Sequence, residues 1–161
     1  MARHSLLFPL FPLFPLAMAA GIASAQPALD LAQAERLSQV ARSACAADGR
    51  QVAVAVVDAG GQVLQLSRGE TVGPHNLEAA RRKAYTALST RQPTLLLGRQ
   101  ARAQADTQAL QYLPELLLLG GGAPLRQGDA VIGAVGVAGG GGPDNDDRCA
   151  HAAADRSPSQ P

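Results

Sequence analysis

This chain of 161 residues has no tryptophan, and its three phenylalanines and two methionines all fall within the first 18 positions. From Gln26 onward the only aromatic side chains besides two histidines are Tyr85 and Tyr112. A core without large aromatics must be built from alanine, valine, leucine and glycine, so helices are expected to pack close to a sheet. Basic surplus is lacking too. Without Arg3, the 13 remaining basic residues equal the 13 acidic ones, which excludes a nucleic-acid partner of the usual electrostatic kind. Lysine occurs once, at Lys83, and cysteine twice, at Cys45 and Cys149. There is no Gly-x-Ser-x-Gly elbow, no HExxH and no Cys-x-x-Cys pair, so a hydrolase or zinc enzyme has no support. Gly139 to Gly142 precede no Gly-Lys-Ser/Thr, so they are not a P-loop. Asp144, Asp146 and Asp147 look calcium-like, but Arg148 stands where an EF-hand loop needs its next ligand. Acidic residues in the first turn of a helix, favoured by its dipole, are the simpler reading.

Residues 1–25 read as a secretory signal peptide. A weakly basic start, Arg3 and His4, precedes the apolar Leu6 to Ala20, and Ala23-Ser24-Ala25 is an A-x-A cleavage site. Phe-Pro-Leu occurs three times between positions 8 and 16, and proline at that spacing opposes a long regular helix and hence a stable membrane anchor. A periplasmic or secreted protein is expected. Cleavage after Ala25 would leave one ordinary domain, 26–155, with a polar tail at 156–161.

Asp30 caps a first helix, with Gln33 completing a capping box. Leu37, Val40, Ala41, Ala44 and Cys45 form its apolar stripe, and Asp48-Gly49 ends it. A hairpin follows. Val52 to Val57 is apolar on both faces, as in a central strand, Gly60-Gly61 makes the turn, and Gln62 to Ser67 is more one-sided. Asn76 is read as the cap of a basic, alanine-rich helix, Leu77 to Ser89, which Pro93 terminates. Thr94 to Tyr112 reads as one or two short helices broken near Gly98. Leu116 to Leu119 and Ala130 to Val137 read as strands, and Pro143 to about Asp155 as the last helix. The fold class is α+β, an antiparallel sheet with helices packed on it.

Four segments together carry a family resemblance. They are Val54 to Gly61; Gly73-Pro74-His75-Asn76 with Ala79 to Ala87; Leu119 to Pro124 with Val131 to Val137; and Gly141-Gly142-Pro143-Asp144 leading to Asp147-Arg148-Cys149-Ala150. In this order they resemble the GlcG/HbpS haem-binding family, which includes the C-terminal domain of PduO-type proteins, over residues 29–154. The resemblance implies a profilin-like sandwich with about five antiparallel strands and a homo-oligomer. It also implies haem binding and, in some exported members, haem degradation or redox sensing.

Haem iron needs a donor such as imidazole, thiolate or phenolate. His75, in a loop at a helix start, is the first candidate metal ligand, although a surface histidine beside a helix cap would look the same. Arg81, Arg82 and Lys83 are candidates for the haem propionates, with Arg82 seven residues from His75 and so roughly on its face. A solvated cationic helix face is the plain alternative. His151 is expected at the surface, and Tyr85 and Tyr112 in packing roles. In a profilin-like sandwich the first and last helices can share one sheet face, which makes a Cys45–Cys149 disulfide one hypothesis; two small buried thiols are the alternative. Three functions fit: a haem or other tetrapyrrole binder; a module for a small organic acid or corrinoid; and a ligand-free, partner-binding oligomer. No catalytic residue is identifiable, so enzyme activity stays undecided.

Overall fold

The computed structural model describes residues 28–157. The signal-peptide segment and most of the polar tail therefore lie outside the described residues. In chain order the elements are α1 (Leu31–Ala46), β1 (Ala53–Asp58), β2 (Val63–Arg68), α2 (His75–Thr90), α3 (Thr94–Ala103), α4 (Ala105–Gln108), a 3₁₀ turn (Ala109–Tyr112), β3 (Gly122–Gln127), β4 (Ala130–Ala138) and α5 (Pro143–Ala154). The sheet runs β2-β1-β4-β3, and every neighbouring pair is antiparallel.

The two-residue period of the central strands divides their side chains between two helical layers. Val54, Val56, Val135 and Val137 face α1 and α5, meeting Leu37, Ala41, Ala150 and Ala153. Ala53, Ala55, Val57 and Ala134 face α2, meeting Ala80, Ala84 and Ala87. Bulk sits on one side and small residues on the other, so α2 lies unusually near the sheet. Gly136 marks the crossing: a Cβ there would collide with the Ala80 carbonyl oxygen. The scarcity of aromatics is thus expressed as close helix–sheet approach.

Local chemistry sets the boundaries. Asp30 Oδ1 accepts from the Gln33 amide at 2.7 Å, and Gln33 Oε1 accepts from the Asp30 amide at 2.9 Å, a complete capping box. Asp58 holds the hairpin turn by accepting from the amides of Gly60 (2.8 Å) and Gln62 (2.9 Å).

Four expectations need correction. The sheet has four strands among the described residues, rather than about five. Leu116 to Leu119 does not pair with a strand, because helix side chains take its backbone groups. Arg82 donates to the Leu116 carbonyl, Thr86 Oγ1 accepts from the Leu117 amide at 2.8 Å, and Thr94 Oγ1 donates to the Leu119 carbonyl at 2.8 Å. Helix α3 continues through Gly98, where the Leu118 carbonyl packs too closely for any side chain. Finally, α2 begins at His75, one residue before Asn76. Asn76 Nδ2 donates to the Gly73 carbonyl at 3.1 Å instead of capping the helix. Pro124 lies inside β3, an edge strand, on the same row as Gly122, whose amide turns away from β4 to donate to Thr94 Oγ1 at 2.8 Å, so no ladder donor is needed at that position.

Candidate functional site

His75 opens α2 and is exposed, with its ring folded against Gly73: Cε1 and Nδ1 lie 3.0 and 3.1 Å from where a Cβ on Gly73 would stand. Gly73 in turn lines a polar cleft with Thr71, Asn76, Gly139 and Arg50. An accessible imidazole beside a polar cleft can ligate a metal presented from solvent.

The three cations of α2 do not act as a set. Arg81 grips Glu78 with two hydrogen bonds, 2.8 and 2.7 Å, which hold the Glu78 carboxyl below its usual range. Arg82 is half-buried and donates to the Leu116 carbonyl, tying α2 to the segment before β3. Lys83 does not lie on a solvated cationic face. It is 1% exposed, and its Nζ donates to Asp146 Oδ2 at 2.8 Å and to the Val137 carbonyl at 2.9 Å. Burial pushes its ammonium below the usual lysine range, and Asp146 pulls the other way.

Asp146 is the residue that sequence reasoning missed. Its Oδ1 accepts from the Gly140 amide at 2.7 Å while Oδ2 takes Lys83, so one buried carboxylate joins α2, the end of β4 and the glycine loop before α5. The signal was present in the spacing. Lys83 falls on the apolar stripe Ala80–Ala84–Ala87, and Asp146 on the stripe Cys149–Ala150–Ala153. A charge on a buried stripe calls for a buried partner of opposite sign.

Cys45 and Cys149 are joined by a disulfide, S–S 2.02 Å with Cα atoms 5.6 Å apart, which fastens the end of α1 to α5 on their shared face of the sheet. Gly140 packs between this bridge and Asp146: a Cβ there would lie 2.8 Å from Asp146 Oδ1 and 3.3 Å from Cys45 Sγ.

Asp147 is buried beside half-exposed His151, Oδ2 to Nε2 3.5 Å, and its Oδ1 has no hydrogen-bond partner among the described residues. Burial raises its carboxyl above the usual range, against the opposing pull of His151 and the Gly121 amide. A carboxyl whose folded pKa exceeds its unfolded one stabilises the fold below the unfolded pKa. That contribution is lost as pH rises through the folded value. Asp147→Asn is therefore expected to stabilise the protein at pH 7 and to make little difference near pH 3. Thermal melts of both proteins across that range check it; a variant less stable at pH 7 would refute the sign. Tyr85 packs beside Gly61, as expected, whereas Tyr112 is 78% exposed and packs into no core.

The architecture and site together define a small α+β domain with one antiparallel sheet, an internal ion pair and an accessible histidine at a helix start. The family model described as "Haem degrading protein HbpS-like" matches residues 29–155, and the chain belongs to that family. A double mutant of HbpS from Streptomyces reticuli superposes with a TM-score of 0.77 at 35% identity, covering 90% of this chain and 97% of that one. PduOC in complex with haem superposes with a TM-score of 0.73 at 25% identity, covering 80% and 94%. The uncharacterized 15.0 kDa protein of the dhaT-dhaS intergenic region of Citrobacter freundii is 32% identical over 114 residues, 70% of this chain and 80% of that protein. Among the described residues no helix is long and apolar enough to cross a membrane.

Proposed function

We propose that this protein is an exported, homo-oligomeric haem-binding protein with a profilin-like sandwich, and that His75 supplies the iron ligand. Membership of the HbpS-like family over residues 29–155 carries this reading, and the haem bound by PduOC supports it. The donor set fits: His75 offers an exposed imidazole, the residue type that haem proteins commonly use at an axial position. Bound haem would supply redox and oxygen chemistry, which extends the proposal to sensing or degradation. The chain's own part would be to hold the iron at His75. The disulfide suits an oxidising, extracytoplasmic compartment.

A haemin titration of protein beginning at Gln26, followed by Soret absorbance, tests the reading. Wild type is expected to give a saturable, shifted band, and His75→Ala to shift the band position and weaken binding about tenfold or more, the loss of roughly 1.4 kcal/mol or more of ligation. Saturable binding indifferent to the substitution would move the iron ligand elsewhere. No saturable shift in wild type would remove the haem function.

A further inference from the structure

The function proposed above assigns no partner to the acidic groups of the ligand: Arg81 pairs with Glu78 and Lys83 with Asp146, while Arg82 is half-buried, donates to the Leu116 carbonyl and keeps its Nε buried without a hydrogen-bond partner among the described residues. We propose that Arg50, on the turn between α1 and β1, is the carboxylate-binding residue of this protein. In this assignment it anchors a polar trough that passes the start of α2 beside His75.

Four observations place it there. First, Arg50 is fixed at its base and free at its tip. Its amide donates to the Cys45 carbonyl at 3.1 Å, its side chain is exposed, and its guanidinium passes beside Gly141. Second, Arg50 and Gln51 line two clefts at once. One contains Thr71, Gly73 and Asn76, and the other contains Arg42, Gln39 and Ser43. Third, neither Arg50 nor Arg42 forms an ion pair among the described residues, and the neighbouring carboxylate Asp48 is taken by Arg148. Fourth, Gln51 is oriented as a donor. Its Oε1 accepts from both the amide (3.1 Å) and the hydroxyl (2.8 Å) of Thr71, so its amide NH₂ is left for another acceptor.

A guanidinium grips a carboxylate through two parallel hydrogen bonds, and an amide NH₂ beside it adds a third. Arg42, which forms no ion pair among the described residues, lines the second cleft together with Arg50, and two arginines there match a ligand with two carboxylates. The first turn of α2, whose dipole also favours negative charge, borders the same cleft at Asn76. The Gly73 that lines this cleft also packs against the His75 ring, so the cleft that Arg50 lines adjoins the proposed iron ligand. The shared chemistry is a carboxylate, which comes either from a haem propionate or from a free small dicarboxylic acid. The haem version rests on the function proposed above; the anion site does not.

The test compares wild type, Arg50→Gln, and Arg81→Gln as a control whose guanidinium is already engaged. Each is titrated with haemin, haemin dimethyl ester and succinate. The haem arm predicts that Arg50→Gln weakens haemin binding about tenfold with an unmoved Soret band. It also predicts that the ester binds wild type as weakly as haemin binds the variant, and that Arg81→Gln changes nothing. If haemin does not bind wild type, the haem reading fails. The anion site then stands if succinate raises the melting temperature of wild type but not of Arg50→Gln. Haemin binding that is equal in wild type and Arg50→Gln overturns the assignment while leaving the haem reading intact. An ester that binds wild type as tightly as haemin does the same. A protein indifferent to both haemin and succinate overturns both.

Discussion

Replacing Cys45 and Cys149 together by alanine is expected to lower unfolding stability by ~4–5 kcal/mol, and the melting temperature by roughly 10–20 °C. The bridge spans a sequence separation of 104 residues, so it restrains most of the domain in the unfolded chain. In the chain-entropy account a loop of that length contributes ~4.7 kcal/mol, against ~3 kcal/mol for one of 15 residues. Both cysteines are almost fully buried, so alanine also leaves small voids beside Val52 and Gly140, which adds to the loss. Denaturant unfolding of wild type and the double variant, both without reductant, checks the value. Reduction of wild type in denaturant followed by refolding in a dithiol should reproduce it. A loss below about 1 kcal/mol would show that the bridge closes no loop that matters.

The second large effect belongs to Lys83. Lys83→Met keeps the length and removes the charge, leaving Asp146, with 6% of its side chain exposed, without its cation. An uncompensated buried carboxylate costs ~3–5 kcal/mol. The double variant Lys83→Met/Asp146→Asn is expected to regain most of this, because an amide oxygen still accepts from the Gly140 amide while no charge stays buried. Non-additivity in urea unfolding of the two single variants and the double is the readout. A Lys83→Met protein within about 1 kcal/mol of wild type would mean that the pair adds nothing. Because Lys83 also donates to the Val137 carbonyl, the single variant is further expected to loosen the last residues of β4, seen as faster amide exchange there.

The two effects meet at Gly140, which touches the disulfide on one side and Asp146 on the other. Both interactions therefore brace the loop that delivers α5. The double-cysteine and Lys83 variants are accordingly expected to couple rather than add.

What the amino-acid sequence determined by itself was everything set by local spacing or local chemistry. The capping box of Asp30 and Gln33, the hairpin turn at Gly60-Gly61, the two-faced burial of Val52 to Val57 and the last helix all rest on neighbours within a few residues, so they are legible without a fold. The order of elements gave the antiparallel sheet with helices packed on it, and the four motif segments added the family and, with it, the expectation that the first and last helices share a face. The tertiary structure alone decided three things. It turned Leu116 to Leu119 from an apparent strand into an irregular segment, since its hydrogen-bond partners are Arg82, Thr86 and Thr94 on helices far away in sequence. It buried Lys83 against Asp146, 63 residues on, because the stripe each occupies faces the sheet. It also brought Arg50 to the cleft beside His75, across 25 residues that contain the whole β1–β2 hairpin. Periodicity tells which face of an element is buried, but not which charge on another element will stand opposite it. That depends on how the layers stack, and here the stacking follows from valine on one side of the sheet and alanine and glycine on the other.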